Sequence, residues 1–325
     1  MISLFFWVLI FIASIILVVK SADWLIFSAE KIGLAFGISP LVIGTVIVAM
    51  GTSLPELASS TAAAIKQETE IVTSNVIGSN VANILLILGI MTIVARTLKL
   101  KDLITLDYFL LATSTVLFIL VIMDGKIEFS EGCMLILAFL VYLFFSFYRR
   151  KGEIPQKIPK LKRPDWKAIK AFLSLIIKLF KVFLTFVLAI IGLSIGANFV
   201  VESISKLAQT LVVTTSLISI TALAVGTSLP ELVVSVRAAI RRKYDIAIGN
   251  IFGSNVFNLL FVGGFPSLFR VINVDALTLS LGLPFLILAT FLLLISYFSK
   301  KLHFWEGIMY IVFYTWFIIK LTFFK

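Results

Sequence analysis

The sequence predicts an all-α integral membrane protein of ten transmembrane helices, arranged as two inverted five-helix repeats with both termini outside. Three observations lead to this prediction, and the first is composition. Of the 325 residues, 60% are hydrophobic and only 14% are charged, and the mean hydropathy is +1.12. About a quarter of a typical soluble domain is charged, so this chain could not cover its apolar surface in water. The other two observations are the distribution of basic residues and an internal repeat.

Apolar segments recur along the whole chain, each near the length of about 20 residues that a helix needs to cross a bilayer. None shows the alternation expected of a β-barrel strand. The ten predicted spans are 3–19, 40–64, 71–95, 104–123, 131–148, 178–200, 213–236, 246–269, 277–298 and 304–322. Cys133 is the single cysteine and His303 the single histidine, so neither an internal disulfide nor a histidine-cluster metal site is expected.

The Lys and Arg residues predict the topology, because cytoplasmic loops carry an excess of them. With both termini outside, 22 of the 28 basic residues fall in inner loops or at the adjoining helix ends. Half of these lie between Arg149 and Lys181, a region that includes the predicted cytoplasmic basic linker, 151–175. The outer six are Lys66, Lys126, Lys206, Arg270, Lys320 and Lys325. Topology therefore explains the net charge of +11, and we expect a cell-membrane protein that binds no nucleic acid.

An internal repeat appears when the sequence is shifted by 175 residues. Residues 49–65, AMGTSLPELASSTAAAI, align with 224–240, AVGTSLPELVVSVRAAI, and 12 of the 17 positions are identical. Residues 75–85 and 250–260 share seven of 11 positions. The repeat predicts a first five-helix unit in 1–150 and a second in 176–325. Since five is odd, the second copy enters the membrane from the opposite side. Inverted copies are typical of secondary transporters, whose sites lie near the midplane.

Two glutamates, Glu56 and Glu231, occupy equivalent positions of the repeat inside predicted spans. A bare carboxylate at that depth costs on the order of 3 kcal/mol unless it is protonated, paired or bound to a cation. Pro55 and its copy Pro230 have no amide hydrogen, so the carbonyls four residues earlier lose their helical partners. These carbonyls need another donor or a cation. The pattern predicts a shared cation site between the two halves.

The residues around the glutamates offer hydroxyl and amide oxygens but neither sulfur nor imidazole. Such a ligand set suits Na⁺ or Ca²⁺ and disfavours zinc, copper and iron. For each Ser or Asn, interhelical hydrogen bonding is the alternative interpretation. Gly78 and Gly253 are expected to allow close helix packing. The polar residues in question are Thr52, Ser53, Thr227 and Ser228, with the helical stripes Asn75, Ser79, Asn83 and Asn250, Ser254, Asn258.

The pair of motifs GTSLPEL and GSNxxN, present twice, resembles the cation/Ca²⁺ exchanger superfamily, and most closely the prokaryotic Na⁺/Ca²⁺ exchangers. The resemblance covers the whole chain. It implies an antiporter that is not an enzyme, needs no cofactor and functions as a monomer in the lipid bilayer, with Na⁺ and Ca²⁺ as substrates. It further implies that Glu56 and Glu231 ligate Ca²⁺ together with the carbonyls of Thr52 and Thr227. The implied Na⁺ ligands are the carbonyls of Ala49 and Ala224, with Ser53, Ser228, Ser79 and Ser254; Asn83 and Asn258 complete the ring.

Asn258 departs from several relatives, notably the potassium-dependent ones, which have Asp at this position. The neutral amide argues against K⁺ co-transport and leaves a site charge of −2 from the two glutamates. One Ca²⁺ or two Na⁺ would neutralise this charge, so competition between the two cations would enforce exchange. A Ca²⁺/H⁺ antiporter remains the main alternative, and a cation channel is a third possibility. An enzyme is disfavoured because the sequence offers no nucleophile–base pair.

Overall fold

The computed structural model describes residues 2–99, 105–149, 166–210 and 228–323, and these are helical apart from four short strands. Seven of the described helices are long and apolar enough to cross a membrane. A bent pair, Pro40–Thr52 and Leu54–Ile65, provides an eighth span, and Asp107–Ile122 is a shorter apolar helix. The chain is therefore an all-helical membrane protein. Most of the predicted span 213–236 lies outside the described residues.

The helices and strands follow the predicted segments with shifted ends. In the first half they are α1 Ile2–Ala35, α2 Pro40–Thr52, α3 Leu54–Ile65, α4 Glu70–Ala95, β1 Thr97–Lys99, α5 Thr105–Ile122, β2 Lys126–Ile127 and α6 Phe129–Arg149. In the second half they are α7 Trp166–Thr210, α8 Leu229–Ile240, α9 Tyr244–Leu268, β3 Ile272–Asn273, α10 Leu283–Ser299 after a π-helical turn Thr278–Gly282, β4 Lys301–His303 and α11 Phe304–Phe323.

Helix α1 is much longer than the predicted span 3–19, and its acidic residues are paired with cations in α8 and just after its end. Asp23 accepts two hydrogen bonds from Arg237 of α8, at 2.9 and 2.7 Å, and lies 2.7 Å from Arg241. Glu30 forms an ion pair with Lys243. Pairing removes most of the cost of a charge in an apolar helix. Helix α1 therefore continues to Ala35 and packs along α7.

Two short antiparallel sheets connect the halves of the chain. Strand β1 pairs with β4, with Thr97 opposite His303, and β2 pairs with β3, with Lys126 opposite Asn273. A shift of 175 residues moves β1 onto β3 and β2 onto β4, so the two sheets are related by the sequence repeat. The hydroxyls of Thr115 and Thr290, which the same shift relates, lie 3.4 Å apart. Each sheet therefore contains one strand from each half.

A break in the helix separates α2 from α3. Ser53, between them, has φ −91° and ψ 7°, and its amide still donates to the carbonyl of Ala49 at 3.0 Å. Pro55 lies in the first turn of α3 and cannot donate to Gly51, so the helix cannot continue unbent. The two segments meet at 41°. This bend places the start of α3, and with it Glu56, inside the protein.

Close contact between α2 and α9 depends on glycine. A Cβ atom on Gly253 would overlap the carbonyl oxygen of Thr45, so the expected close packing at Gly253 is confirmed. Among the described residues, a Cβ atom on Gly78 would meet nothing within 4 Å, but positions 220 and 224, the copies of those beside Gly253, lie outside the described residues, so the expectation for Gly78 stays a prediction. Glycine at 253 thus lets the backbone of α2 lie against the polar stripe of α9.

Candidate cation site

Glu56 and Glu231 lie in the first turns of α3 and α8, and each is only 1% exposed. Pro55 and Pro230 occupy the position before each of them, where a proline costs the helix no hydrogen bond. The N-terminal end of a helix carries a partial positive charge, which stabilises a nearby carboxylate by roughly 0.3–1 kcal/mol. This is much less than the cost of burying a bare carboxylate, so the two groups require a further partner.

The described protein supplies only one hydrogen bond to these carboxyl groups. Ser53 donates to Glu231 Oε1 at 2.7 Å, whereas Glu231 Oε2 and both carboxyl oxygens of Glu56 have no hydrogen-bond partner among the described residues. The two carboxyl groups are close enough to interact electrostatically. No Lys or Arg from the described ranges forms an ion pair with either. Two like-charged groups held together in this way are compatible with a bound cation.

Neutral polar atoms without protein partners accompany the carboxylates. Both side-chain polar atoms of Asn83 and of Asn258 are buried and have no hydrogen-bond partner within the described part of the chain. The same holds for the hydroxyl of Ser228. A buried polar group left unpaired costs roughly 1–3 kcal/mol, and such groups are rare in native structures. Asn83 and Asn258 also lie in π-helical turns, which are common at functional sites.

A second set of contacts joins the end of α2 to α9. The Thr52 hydroxyl lies 3.2 Å from the carbonyl of Ala49, 3.2 Å from Asn250 Oδ1 and 3.5 Å from the hydroxyl of Ser254. Ser254 in turn donates to the carbonyl of Ala49 at 3.5 Å. All of these atoms are hard oxygen ligands, of the type that Na⁺ and Ca²⁺ prefer.

The described residues of the predicted ligand set are all buried, with at most 3% exposure. They are Ala49, Thr52, Ser53, Glu56, Ser79, Asn83, Ser228, Glu231, Ser254 and Asn258. Hydrogen-bond contacts join Ala49, Thr52 and Ser254 as one group and join Ser53 to Glu231 as another. Ala224 and Thr227, the two remaining members, lie outside the described residues.

Ser60 and Ser235 were missed by the sequence interpretation. Asn75 Nδ2 donates to the hydroxyl of Ser60 at 2.9 Å, and Asn250 Nδ2 donates to that of Ser235, also at 2.9 Å. Each serine stands four residues after one of the buried glutamates and is identical in the two repeats. That identity, on the same helix face as the carboxylate, was the signal that could have identified them.

No group of three or more His, Cys, Asp or Glu side chains that could hold a metal occurs among the described residues. Within the described ranges, the two glutamates are the acids of the candidate site and give it a formal charge of −2. A helical membrane protein in which neutral oxygen atoms surround two buried carboxylates is typical of a membrane carrier of hard cations.

The family model "Sodium/calcium exchanger protein" matches residues 6–148 and 181–323, and the chain belongs to this family. The two matches are themselves 175 residues apart.

Relatives and solved structures agree with this assignment. Inner membrane protein YrbG of Escherichia coli is 33% identical over 83% of this chain and 82% of its own length. Sodium/calcium exchanger MaX1 of Methanosarcina acetivorans is 32% identical over 96% of this chain and 97% of its own length. A solved structure of the sodium-calcium exchanger NCX_Mj, soaked with Na⁺ and Ca²⁺, has a TM-score of 0.79 and 26% identity, covering 98% of this chain and 99% of that one.

Proposed function

We propose that this chain is a secondary active antiporter that exchanges Na⁺ for Ca²⁺ by alternating access at a site built on Glu56 and Glu231. One observation carries the proposal: two buried carboxyl groups related by the repeat interact with each other and have no basic partner in the described part of the chain. One Ca²⁺ or two Na⁺ would neutralise this pair. The empty site would be costly to move through the bilayer, so the protein switches sides only when it is loaded.

In the proposed site, Ca²⁺ binds Glu56 and Glu231 with the carbonyls of Thr52 and Thr227. The proposed Na⁺ ligands are the carbonyls of Ala49 and Ala224, the hydroxyls of Ser53, Ser228, Ser79 and Ser254, and the amides of Asn83 and Asn258. The Ser53–Glu231 and Thr52–Ser254 contacts support a common centre. So do the unpartnered amides of Asn83 and Asn258, because a cation would engage their oxygens. Na⁺ and Ca²⁺ are substrates here, and the transport requires no cofactor.

The proposed architecture has ten spans in two inverted repeats, 1–150 and 176–325, joined by the cytoplasmic linker 151–175. Both termini lie outside the cell membrane, and the monomer is the functional unit. The distribution of 22 of the 28 basic residues supports this orientation. The repeat-related sheets, β1 with β4 and β2 with β3, and the Thr115–Thr290 contact support inverted halves around a common axis.

Ca²⁺ flux into proteoliposomes, with gradients of Na⁺, K⁺ or H⁺ imposed one at a time, tests the proposal. Uptake is expected only with Na⁺ on the opposite side and is expected to need no K⁺. Full uptake driven by a pH gradient alone would instead establish a Ca²⁺/H⁺ antiporter. Ca²⁺ entry with no counter-ion gradient would establish a channel. Protein-free liposomes provide the background rate.

A further inference from the structure

The Thr52 hydroxyl connects the proposed site to the second half of the chain. It lies 3.2 Å from Asn250 Oδ1 on α9 and 3.2 Å from the carbonyl of Ala49 in its own helix. Thr52 is the last residue of α2, next to the bend at Ser53, where Pro55 cannot donate to the carbonyl of Gly51. A residue at such a helix end is held less firmly by its own helix than one in the interior. Its orientation therefore depends on the side chains that it contacts.

Asn250 is itself fixed by a second contact. Its amide nitrogen donates to the hydroxyl of Ser235 on α8 at 2.9 Å, and both residues are fully buried. Because the amide nitrogen of Asn250 donates to Ser235, the amide oxygen is the atom that faces Thr52. Ser235, Asn250 and Thr52 thus form a chain of hydrogen bonds that begins one turn after Glu231 and ends beside the proposed ligands.

We infer that Asn250, held by Ser235, is a positioning residue that orients Thr52 for cation binding. This inference rests on the proposed exchange function and adds two residues that are not among its ligands. A hydroxyl has one proton and two lone pairs. That proton has two acceptors at 3.2 Å, the Ala49 carbonyl and Asn250 Oδ1, and donation to Asn250 ties Thr52, whose carbonyl is the proposed Ca²⁺ ligand, to α9. Partners that orient a ligand from outside the coordination shell typically change metal affinity 10- to 100-fold.

A double-mutant cycle tests whether Asn250 acts through Thr52. The variants are Asn250→Ala, Thr52→Val, which removes only the hydroxyl function and keeps the backbone carbonyl, and the double variant. The measurements are the Kd for ⁴⁵Ca²⁺ by equilibrium dialysis of purified protein and the Na⁺ concentration that displaces half of the bound Ca²⁺. Each single substitution is expected to raise the Kd about tenfold. The double variant is expected to be no weaker than the weaker single variant, because neighbours that act as a unit are not additive.

Thr115→Val is the matched control, because it removes another buried hydrogen bond between the halves, to Thr290, and leaves Thr52 untouched. It is expected to leave the Kd unchanged. The inference is overturned if Asn250→Ala binds Ca²⁺ as the unchanged protein does. It is also overturned if the double variant shows the multiplied, about hundredfold, loss of independent effects, or if Thr115→Val weakens binding equally.

If Asn250→Ala does not fold, Ser235→Ala takes its place in the cycle, since it removes the contact that holds Asn250 while leaving the amide in place. A severalfold rise in Kd that disappears in the Thr52→Val background supports the inference, and a rise that persists there overturns it. Failure of the proposed function has a different signature: the unchanged protein would then show no Ca²⁺ binding that Na⁺ displaces.

Discussion

Helix α1 and the helix starts at α3 and α8 all carry acidic side chains, but the surroundings of these side chains differ. Asp23 and Glu30 of α1 face fixed cations: Arg237 and Arg241 for the former, Lys243 for the latter. Glu56 and Glu231 face each other and neutral oxygens, with no Lys or Arg paired to them in the described residues.

The difference separates paired charges from the unpaired charges of the proposed transport site. An acid neutralised by an arginine of the same chain has no need of a diffusible ion, whereas an acid without such a partner requires one. The repeat makes the same distinction, because Glu56 and Glu231 are copies of each other. Asp23 and Glu30 align with the neutral residues Asn198 and Ser205. The unpaired acids thus occur in both halves, and the paired acids in only one.

The largest expected effect comes from neutralising an unpaired acid. Glu56→Gln or Glu231→Gln removes half of the charge that binds Ca²⁺, so Na⁺-driven Ca²⁺ flux in proteoliposomes should fall to the protein-free background. Asp23→Asn, the control from the paired set, should retain flux. Flux like that of the unchanged protein in either purified glutamine variant would refute the site assignment.

A third acid at the centre should alter the pH dependence of transport. In the proposed site, Asn258→Asp adds a third carboxyl group to Glu56 and Glu231, and three like charges in one site cannot all ionise cheaply. We expect the variant to work near neutral pH with one carboxyl group protonated, and to change its flux as pH rises and the proton leaves. Asn83→Asp should behave in the same way. The check is Ca²⁺ flux against pH, and identical profiles in all three proteins would place these asparagines away from the ions.

Removing a paired acid should lower stability rather than transport. Asp23→Asn leaves Arg237 and Arg241 without their carboxylate, and all three side chains are partly shielded. We expect a loss of about 1–2 kcal/mol in the free energy of unfolding, between the values typical of exposed and of buried pairs. A thermal melt of detergent-purified protein measures it. A melting temperature equal to that of the unchanged protein would show that the pair contributes nothing.

The smallest effect is expected at the second ion pair. Glu30 and Lys243 are 35% and 28% exposed, so water and salt screen their attraction. Glu30→Gln should cost less than about 1 kcal/mol, and raising the salt concentration should reduce the difference further. The same thermal melt, performed at low and high salt, tests this. A larger loss than that of Asp23→Asn would reverse the ranking.

Sequence alone was sufficient to predict the helical membrane fold and the burial of the proposed ligands, because hydropathy and the repeat both act locally along the chain. The length of α1 was not predictable in this way. Asp23 and Glu30 interrupt its hydropathy, and their partners are more than 200 residues away.

The repeat also suggested a symmetry that the site does not have. Ser53 donates to Glu231, but the equivalent hydroxyl of Ser228 and the carboxyl oxygens of Glu56 have no partner in the described residues. Two identical motifs can adopt different side-chain contacts because each packs against a different neighbour. The sequence therefore predicted a proposed site with two equivalent carboxyl groups, and only the structure distinguishes their described contacts.

The two small sheets have a consequence for how the protein is made. Strands β1 and β2 are synthesised early, but β3 follows β2 only after about 145 residues and β4 follows β1 only after about 200, and a strand edge left open invites wrong pairing. For a time, the first half therefore lies in the membrane with its strands unpaired and with Glu56 lacking its partner Glu231. Native assembly can finish only after β4 has been synthesised. The nascent chain is therefore most vulnerable to quality-control proteases before that strand is made.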